Sequence, residues 1–302
     1  MSHSVVASVA GGTRGAASRN PNAPGTRRPF LKSIHDFVLR NFRIDGKRFF
    51  ARALASNSAR LLVRRLEGSP HRRLLESEDL TGHYADFQLK DGTLSSVLLS
   101  FIAGRIEFME ARLGREEIER STFVDVGDTS GIFIKALGKR SLSMNISKAA
   151  AESIERKGLR AVLGDGTRLP IRDDGCDYVL CFETLEHLPN PLGALAELYR
   201  VCRKGAFISV PHVSRTTVYP PKFMDFPQEL LHIFELSRVH WDALIAHTPF
   251  IIDRVEVIPV IDRPRGVREA VAMGVWRLLF GLDVFCMTYS GFLTYHLAKR
   301  GR

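Results

Sequence analysis

The stretch Cys176–Phe182, reading CDYVLCF, most narrows what this chain can fold into. Apart from Asp177 it is apolar at odd and even positions alike. A strand with one wet face alternates, so such a run has both faces covered, the condition inside a parallel sheet flanked by helices. The surrounding chain alternates to match. Strands are expected at 123–126, 141–146, 160–163, 206–210, 250–260 and 291–297, with helical stretches at 132–138, 148–157, 191–203, 237–247 and 267–285. Ser147 suits an N-cap, Pro191 a first turn, and Gly158 and Gly205 helix stops. The result is an α/β chain with a mostly parallel sheet and helices on both faces.

Upstream of the first strand the pattern is helical. Phe30, Ile34, Phe37 and Val38 recur at helical spacing, Phe49, Phe50, Leu54, Leu61 and Leu62 more loosely, and Leu98, Ile102, Ile106, Met109 and Leu113 regularly. The expected division is a disordered basic tail at 1–28, a helical extension or lid at 29–118, and a main domain at 119–302 that ends in a helix and strand at 266–300. Residues 1–80 hold 15 Lys and Arg against 6 Asp and Glu, so nearly all of the net charge of +10 lies there. That surplus reads first as a solvated, partly disordered basic extension, with peripheral association with an anionic membrane as the alternative. No nucleic-acid-binding motif accompanies it, so nucleic acid is not an expected partner. The expected location is cytoplasmic, with organelle targeting by residues 1–35 as the alternative. Arg277 and Asp283 interrupt the late apolar stretch, which therefore does not read as a membrane span. The four cysteines form no C-x-x-C pair and read as reduced core residues. With no zinc-ligand spacing and scattered histidines, no metal is expected.

Chemistry is expected where strands end. STFVDVGDTSG, residues 121–131, reads as strand, glycine turn and helix, and Gly127 and Gly131 let a backbone approach a ligand. Asn145 lies about twenty residues past Asp125, where dinucleotide-type folds place an acidic residue on ribose hydroxyls. Asp165, in G-D-G-T, can accept from an exocyclic amine. Phe182-Glu183-Thr184-Leu185-Glu186-His187 brings polar groups to the end of the fourth strand. Glu186-His187 also suits a capping role for the helix that follows. His212 and His232 could each act as a general base, or simply make a structural hydrogen bond. Asp173 and Asp174 read as a solvated turn, and Arg215 and Lys222 as an exposed loop, with reception of an acidic substrate as the alternative for the two cations.

The order DVGxxxG, N-I-S, GDGTRLPIRDDGCDYVLCFETLEHLPNP and ELYRVCRKG, then a strand ending S-V-P, resembles class I S-adenosylmethionine-dependent methyltransferases. The type 11, small-molecule branch is the most similar, over about residues 122–260. The resemblance implies a doubly wound, Rossmann-like sheet of seven strands, mostly parallel, with the last strand inserted antiparallel. It implies S-adenosyl-L-methionine as cofactor and a small-molecule, saccharide or lipid-like methyl acceptor. By the same resemblance Asp125, Gly127, Thr129 and Gly131 line the methionine portion, and Asn145 faces the ribose. Ile146 lies against adenine, and Asp165 holds its amine beside Gly166. Phe182 and Glu183 border the methyl group, with His187 close behind. Two positions depart from the pattern: Thr129 replaces a glycine and Asn145 an acid. Replacing a charged hydrogen bond with a neutral one weakens binding about tenfold. Gly at 129 and Asp at 145 are thus expected to tighten it. The alternative is a degenerate methyltransferase-fold protein with weak or no cofactor binding. A nicotinamide-dependent oxidoreductase is disfavoured by the missing G-x-G-x-x-G.

Overall fold

Both faces of the central strand are covered, as its composition requires. In the computed structural model Val179 and Cys181 of Cys176–Phe182 enter one apolar cluster, and Tyr178, Leu180 and Phe182 enter another. The structure describes residues 60–77, 93–138, 140–213, 215–218, 232–259, 266–267, 269–271, 274 and 291–300. All belong to one compact unit, Asp45–Arg302. The readings made for residues 1–59, for Lys222 and for most of 267–285 lie outside the described residues.

In chain order the elements are α1 (Arg72–Ser77), α2 (Thr93–Leu113), α3 (Arg115–Arg120), β1 (Phe123–Val126), α4 (Ile132–Leu137), β2 (Ser141–Asn145), α5 (Lys148–Arg156), β3 (Ala161–Leu163) and β4 (Cys176–Phe182). There follow a 3-10 turn (Leu185–His187), α6 (Pro191–Val201), β5 (Cys202–Pro211), β6 (Thr217–Val218), β7 (Phe234–Glu235), α7 (Arg238–Ala246), β8 (Phe250–Pro259) and β9 (Gly291–Lys299). The seven-stranded sheet runs β3-β2-β1-β4-β5-β9-β8, and β6 and β7 form a separate antiparallel pair. The first five strands are parallel, and β9 lies between β5 and β8, antiparallel to both. The doubly wound architecture and the inserted last strand are as the sequence reading expects.

One face of the sheet packs α6 and α7, through Leu195, Leu198, Trp241 and Ile245, against Val124, Val179, Ala206 and Ile208. The other packs α2, through Ile102, Ile106 and Met109, with Leu62, Leu66 and Leu75, against Phe123, Tyr178, Leu180 and Phe207. Each such apolar side chain contributes about 1.5–3 kcal/mol on full burial. Residues 60–77 and α2 therefore form a layer of the same core. Helix α2 is covered on more than the stripe expected for it: Ser100 through Ile106 are all buried, including Arg105.

Gly205 does not stop a helix. Helix α6 already ends at Val201, and Gly205 lies inside β5, where a Cβ would collide with the Leu297 carbonyl oxygen of β9. Asp173 and Asp174 are not merely solvated: Asp173 accepts from Arg200 at 2.8 Å and Asp174 from Lys299 at 2.6 Å. Cys176, Cys181 and Cys202 are buried and free, and burial pushes the thiols of Cys176 and Cys202 up to about 12.

Candidate active site

The carboxyl ends of β1, β2, β3, β4 and β5 lie side by side, and all but one of the candidate residues fall on them or on the loops just beyond. The exception, His232, reaches the same place from the segment before β7. The first turn is held from within. Gly127 (φ 88°) and Gly131 (φ 75°) occupy the left-handed region, where a side chain is strained. A Cβ at 127 would also strike the Thr184 hydroxyl, and one at 131 would meet Leu159 Cδ1 at 2.6 Å. Thr129 is exposed and has no positive φ, so the turn itself has no need of glycine there.

Asp128, which sequence reasoning passed over, organises this turn. Its Oδ1 accepts from the backbone N–H groups of Ser130 and Gly131, each at 2.8 Å. Asn145 braces it from β2. Its Nδ2 donates to the carbonyls of Gly127 (3.2 Å) and Asp128 (2.8 Å), and its Oδ1 accepts from Ser147 N–H at 2.7 Å. The amide is therefore already engaged with the backbone, whereas the resemblance assigned it to a ribose. An aspartate could not donate either of those two bonds.

Asp125 is buried, and its Oδ2 has no hydrogen-bond partner among the described residues. Burial pushes its carboxyl well above the ordinary range; Asp128 adds to this and Arg105 opposes it. Ile146, just past β2, is 75% exposed, and Leu163, which ends β3 in register with Asn145, is 56% exposed. Two large apolar side chains thus stand open at adjacent strand ends. Asp165 is exposed beside them, its Oδ1 accepting from Thr167 N–H and Oγ1. Gly166 has ordinary space around it: an added Cβ would come no nearer than 3.5 Å to Leu188 and Val126.

At the end of β4 the Phe182 ring turns into the core, 4.8 Å from the ring of Phe133, so only its backbone borders the crevice. Glu183 follows with φ 50°, a conformation costing about 1–3 kcal/mol for a non-glycine residue and typical of functional sites. Its Oε1 accepts from Ser209 Oγ at 2.9 Å and lies 2.9 Å from Nη2 of Arg105. Arg105 is buried on α2, with its guanidinium 5.1 Å from the Phe101 ring and 5.3 Å from those of Phe182 and Phe292. Sequence reasoning missed it. The available signal was a lone cation among the apolar positions of α2. Burial raises the Glu183 carboxyl, while Arg105 and Ser209 pull it back.

Thr184 Oγ1 donates to the carbonyls of Phe182 (3.0 Å) and Val126 (3.3 Å), joining the ends of β4 and β1. Glu186 and His187 do not cap the next helix. Asn190 does so, accepting from Gly193 N–H at 2.9 Å. Glu186 is fully buried, and neither of its carboxylate oxygens has a hydrogen-bond partner among the described residues. The His187 and His232 rings meet edge to face, 4.7 Å between centroids. His232 Nδ1 lies 3.0 Å from Glu235 Oε1. The fold thus brings together Glu186, His187 and His232, whose histidines lie far apart in the sequence. His212 follows β5, its N–H donating to Gly291 O, and burial together with Arg238 lowers its pKa.

Residues 124–210 match the type 11 methyltransferase domain family. An uncharacterized protein of Methanocaldococcus jannaschii, MJ1123, is 27% identical over 101 residues, which are 33% of this chain. That match spans about half (49%) of the relative's length. Among solved structures, a methyltransferase of Haloferax volcanii in complex with the Trm112 activator is similar, with a TM-score of 0.48 and 18% identity over 66% of this chain and 89% of its own. An S-adenosylmethionine-dependent methyltransferase from Mesorhizobium loti gives a TM-score of 0.44 and 13% identity over 65% and 98%.

Proposed function

From the premise that residues 124–210 carry a type 11 methyltransferase domain, a family that implies S-adenosylmethionine as cofactor, we propose that this chain transfers a methyl group to a small-molecule, saccharide or lipid-like acceptor. What most supports the reading is the buried Asp125 carboxyl with an unpartnered oxygen. It lies beneath a turn in which only Gly127 and Gly131 adopt positive φ. An orphaned polar atom beside a close-approach backbone suits the polar end of a bound molecule.

The remaining residues fit the rest of the cofactor. Ile146 and Leu163 offer an apolar bed for a purine, Asp165 and Gly166 border its edge, and Glu183 lies at the methyl end. When bound, S-adenosylmethionine supplies an electrophilic methyl on a sulfonium, and transfer is an in-line displacement governed by positioning. The work left to this chain is to align the acceptor and take its proton. We assign the proton to His212, which follows the carboxyl end of β5, where burial and Arg238 favour the neutral imidazole. Acceptor entry between the segment after β5 and the N-terminal helices, the division at 28 and 118, and membrane association through the basic N-terminal region belong to the same proposal. No helix among the described residues is long and apolar enough to cross a membrane.

One observation favours the alternative of weak or no cofactor binding: Asn145 spends its amide on the turn. Calorimetry with S-adenosylmethionine and its demethylated product separates the two. Micromolar binding of both is expected, and no heat at millimolar ligand would remove the enzyme reading.

A further inference from the structure

We propose that Glu186, His187 and His232 bind one divalent transition-metal ion, with Glu235 orienting the His232 imidazole. The three residues each present a ligand atom, and these atoms lie within 4.8 Å of one another. Glu186 supplies the independent observation. It is fully buried, yet among the described residues neither carboxylate oxygen meets the geometry of a hydrogen bond, and the carboxyl beside it is that of Glu183. An unpaired polar group in such a place costs about 1–3 kcal/mol, and more if charged. Among the described residues no cationic side chain is ion-paired with Glu186: Arg105 makes its 2.9 Å contact with Glu183 instead.

The ligands are held by backbone rather than left to chance. Glu186 and His187 sit on the 3-10 turn, where His187 N–H donates to Thr184 O at 3.1 Å. The His232 segment is tied to that turn by Ile233 N–H donating to Glu186 O at 2.8 Å. Glu235 on Nδ1 of His232 is the carboxylate–histidine pair that fixes the tautomer of a ligating imidazole, making Nε2 the coordinating nitrogen. Two imidazoles and one carboxylate suit zinc, cobalt, iron or manganese better than calcium or magnesium. Three protein ligands also leave a tetrahedral ion one open position. The ion would lie three residues beyond Glu183. Its use to place an acceptor oxygen there rests on the methyl-transfer reading, but its binding does not.

The test uses the full chain, stripped with EDTA and dialysed. Titration with Co2+, followed by visible absorption, should give one equivalent with a tetrahedral ligand-field band. Zn2+, competed against a chromophoric chelator, should displace it and raise the melting temperature. Glu235→Gln should weaken binding about 10–100-fold, and Glu186→Gln, His187→Ala and His232→Ala should weaken it further. His247→Ala should leave it unchanged. No saturable binding to the native chain overturns the proposal, as does equal affinity in variants that keep the native melting transition. Should the histidine variants fail to fold, the near-isosteric Glu186→Gln decides alone. Calorimetry with S-adenosylmethionine runs separately. Metal binding without cofactor binding sinks the proposed function and leaves this site standing, and the reverse result does the opposite.

Discussion

Asn145 shows how a residue can keep its place in a pattern and change its job. On the ribose reading, Asn145→Asp should tighten cofactor binding. In the structure that carboxylate would face the carbonyl oxygens of Gly127 and Asp128, to which the amide now donates. Alanine removes these two neutral hydrogen bonds and the one Oδ1 accepts from Ser147, worth about 1.5–4.5 kcal/mol together, so Asn145→Ala should lower stability by about that much in urea unfolding. Asn145→Asp should cost more than alanine and weaken cofactor affinity. Tighter binding in the aspartate variant would return Asn145 to a direct ribose role. Thr129 is simpler, because no backbone strain is relieved by glycine at an exposed position without positive φ. His212 gives a pH test at the same scale. Because burial and Arg238 lower its pKa, the rate should rise with pH along a limb whose midpoint lies below the ordinary histidine value of about 6.5. His212→Asn should flatten that limb and lower kcat about 10²–10⁴-fold. An unchanged profile would show that the base is another group.

Beside the apolar contacts of helix α2 with strand β4, an ion pair joins α2 to the residue that follows β4. Arg105 and Glu183 are 2.9 Å apart, and the guanidinium is surrounded by three aromatic rings. Removing one partner strands a buried charge, so Arg105→Met should destabilise the chain by about 3–5 kcal/mol. Adding Glu183→Gln should recover part of that loss, a coupling that a double-mutant cycle in urea measures directly. Additive losses would mean that the pair is not energetically joined. The pair also marks where sequence reading stops. The α2 periodicity was legible, and so was the oddity of a cation within it, but its partner lies 78 residues away on another element. Strands β1 and β4 were legible to the residue because their apolar runs are local. The error at Gly205 has the opposite cause. A glycine after a helix reads as a stop, and only β9, arriving some ninety residues later, shows that the glycine is there to let a carbonyl approach. The Glu186, His187 and His232 grouping was hidden for the same reason, since 45 residues separate its histidines.

Across the whole molecule, the two ends of the β1–β4 pair respond to pH in opposite senses. At the amino end Asp177 accepts from Thr122 N–H at 2.9 Å and Thr122 Oγ1 at 2.8 Å, with Arg203 and Lys204 alongside. Burial opposes its charge, yet Arg203 and Thr122 hold the carboxyl at about 2. Its stabilising contribution is therefore present above the ordinary value of 3.8 and is lost as pH falls through about 2. At the carboxyl end burial raises Asp125 above that same ordinary value. The folded state keeps this proton where the unfolded chain has released it, so the contribution is complete below 3.8 and is lost as pH rises through the folded value. Urea unfolding of the metal-free chain across acidic to neutral pH should thus show two slopes of opposite sign. Asp177→Asn should remove the acid-side loss. Asp125→Asn, which cannot ionise, should flatten the decline on the other side and leave the variant more stable than the native chain at neutral pH. Equal slopes in native and Asp125→Asn chains would mean that the orphaned oxygen of Asp125 finds a partner in solution, and with it would go the main structural support for a ligand above that turn.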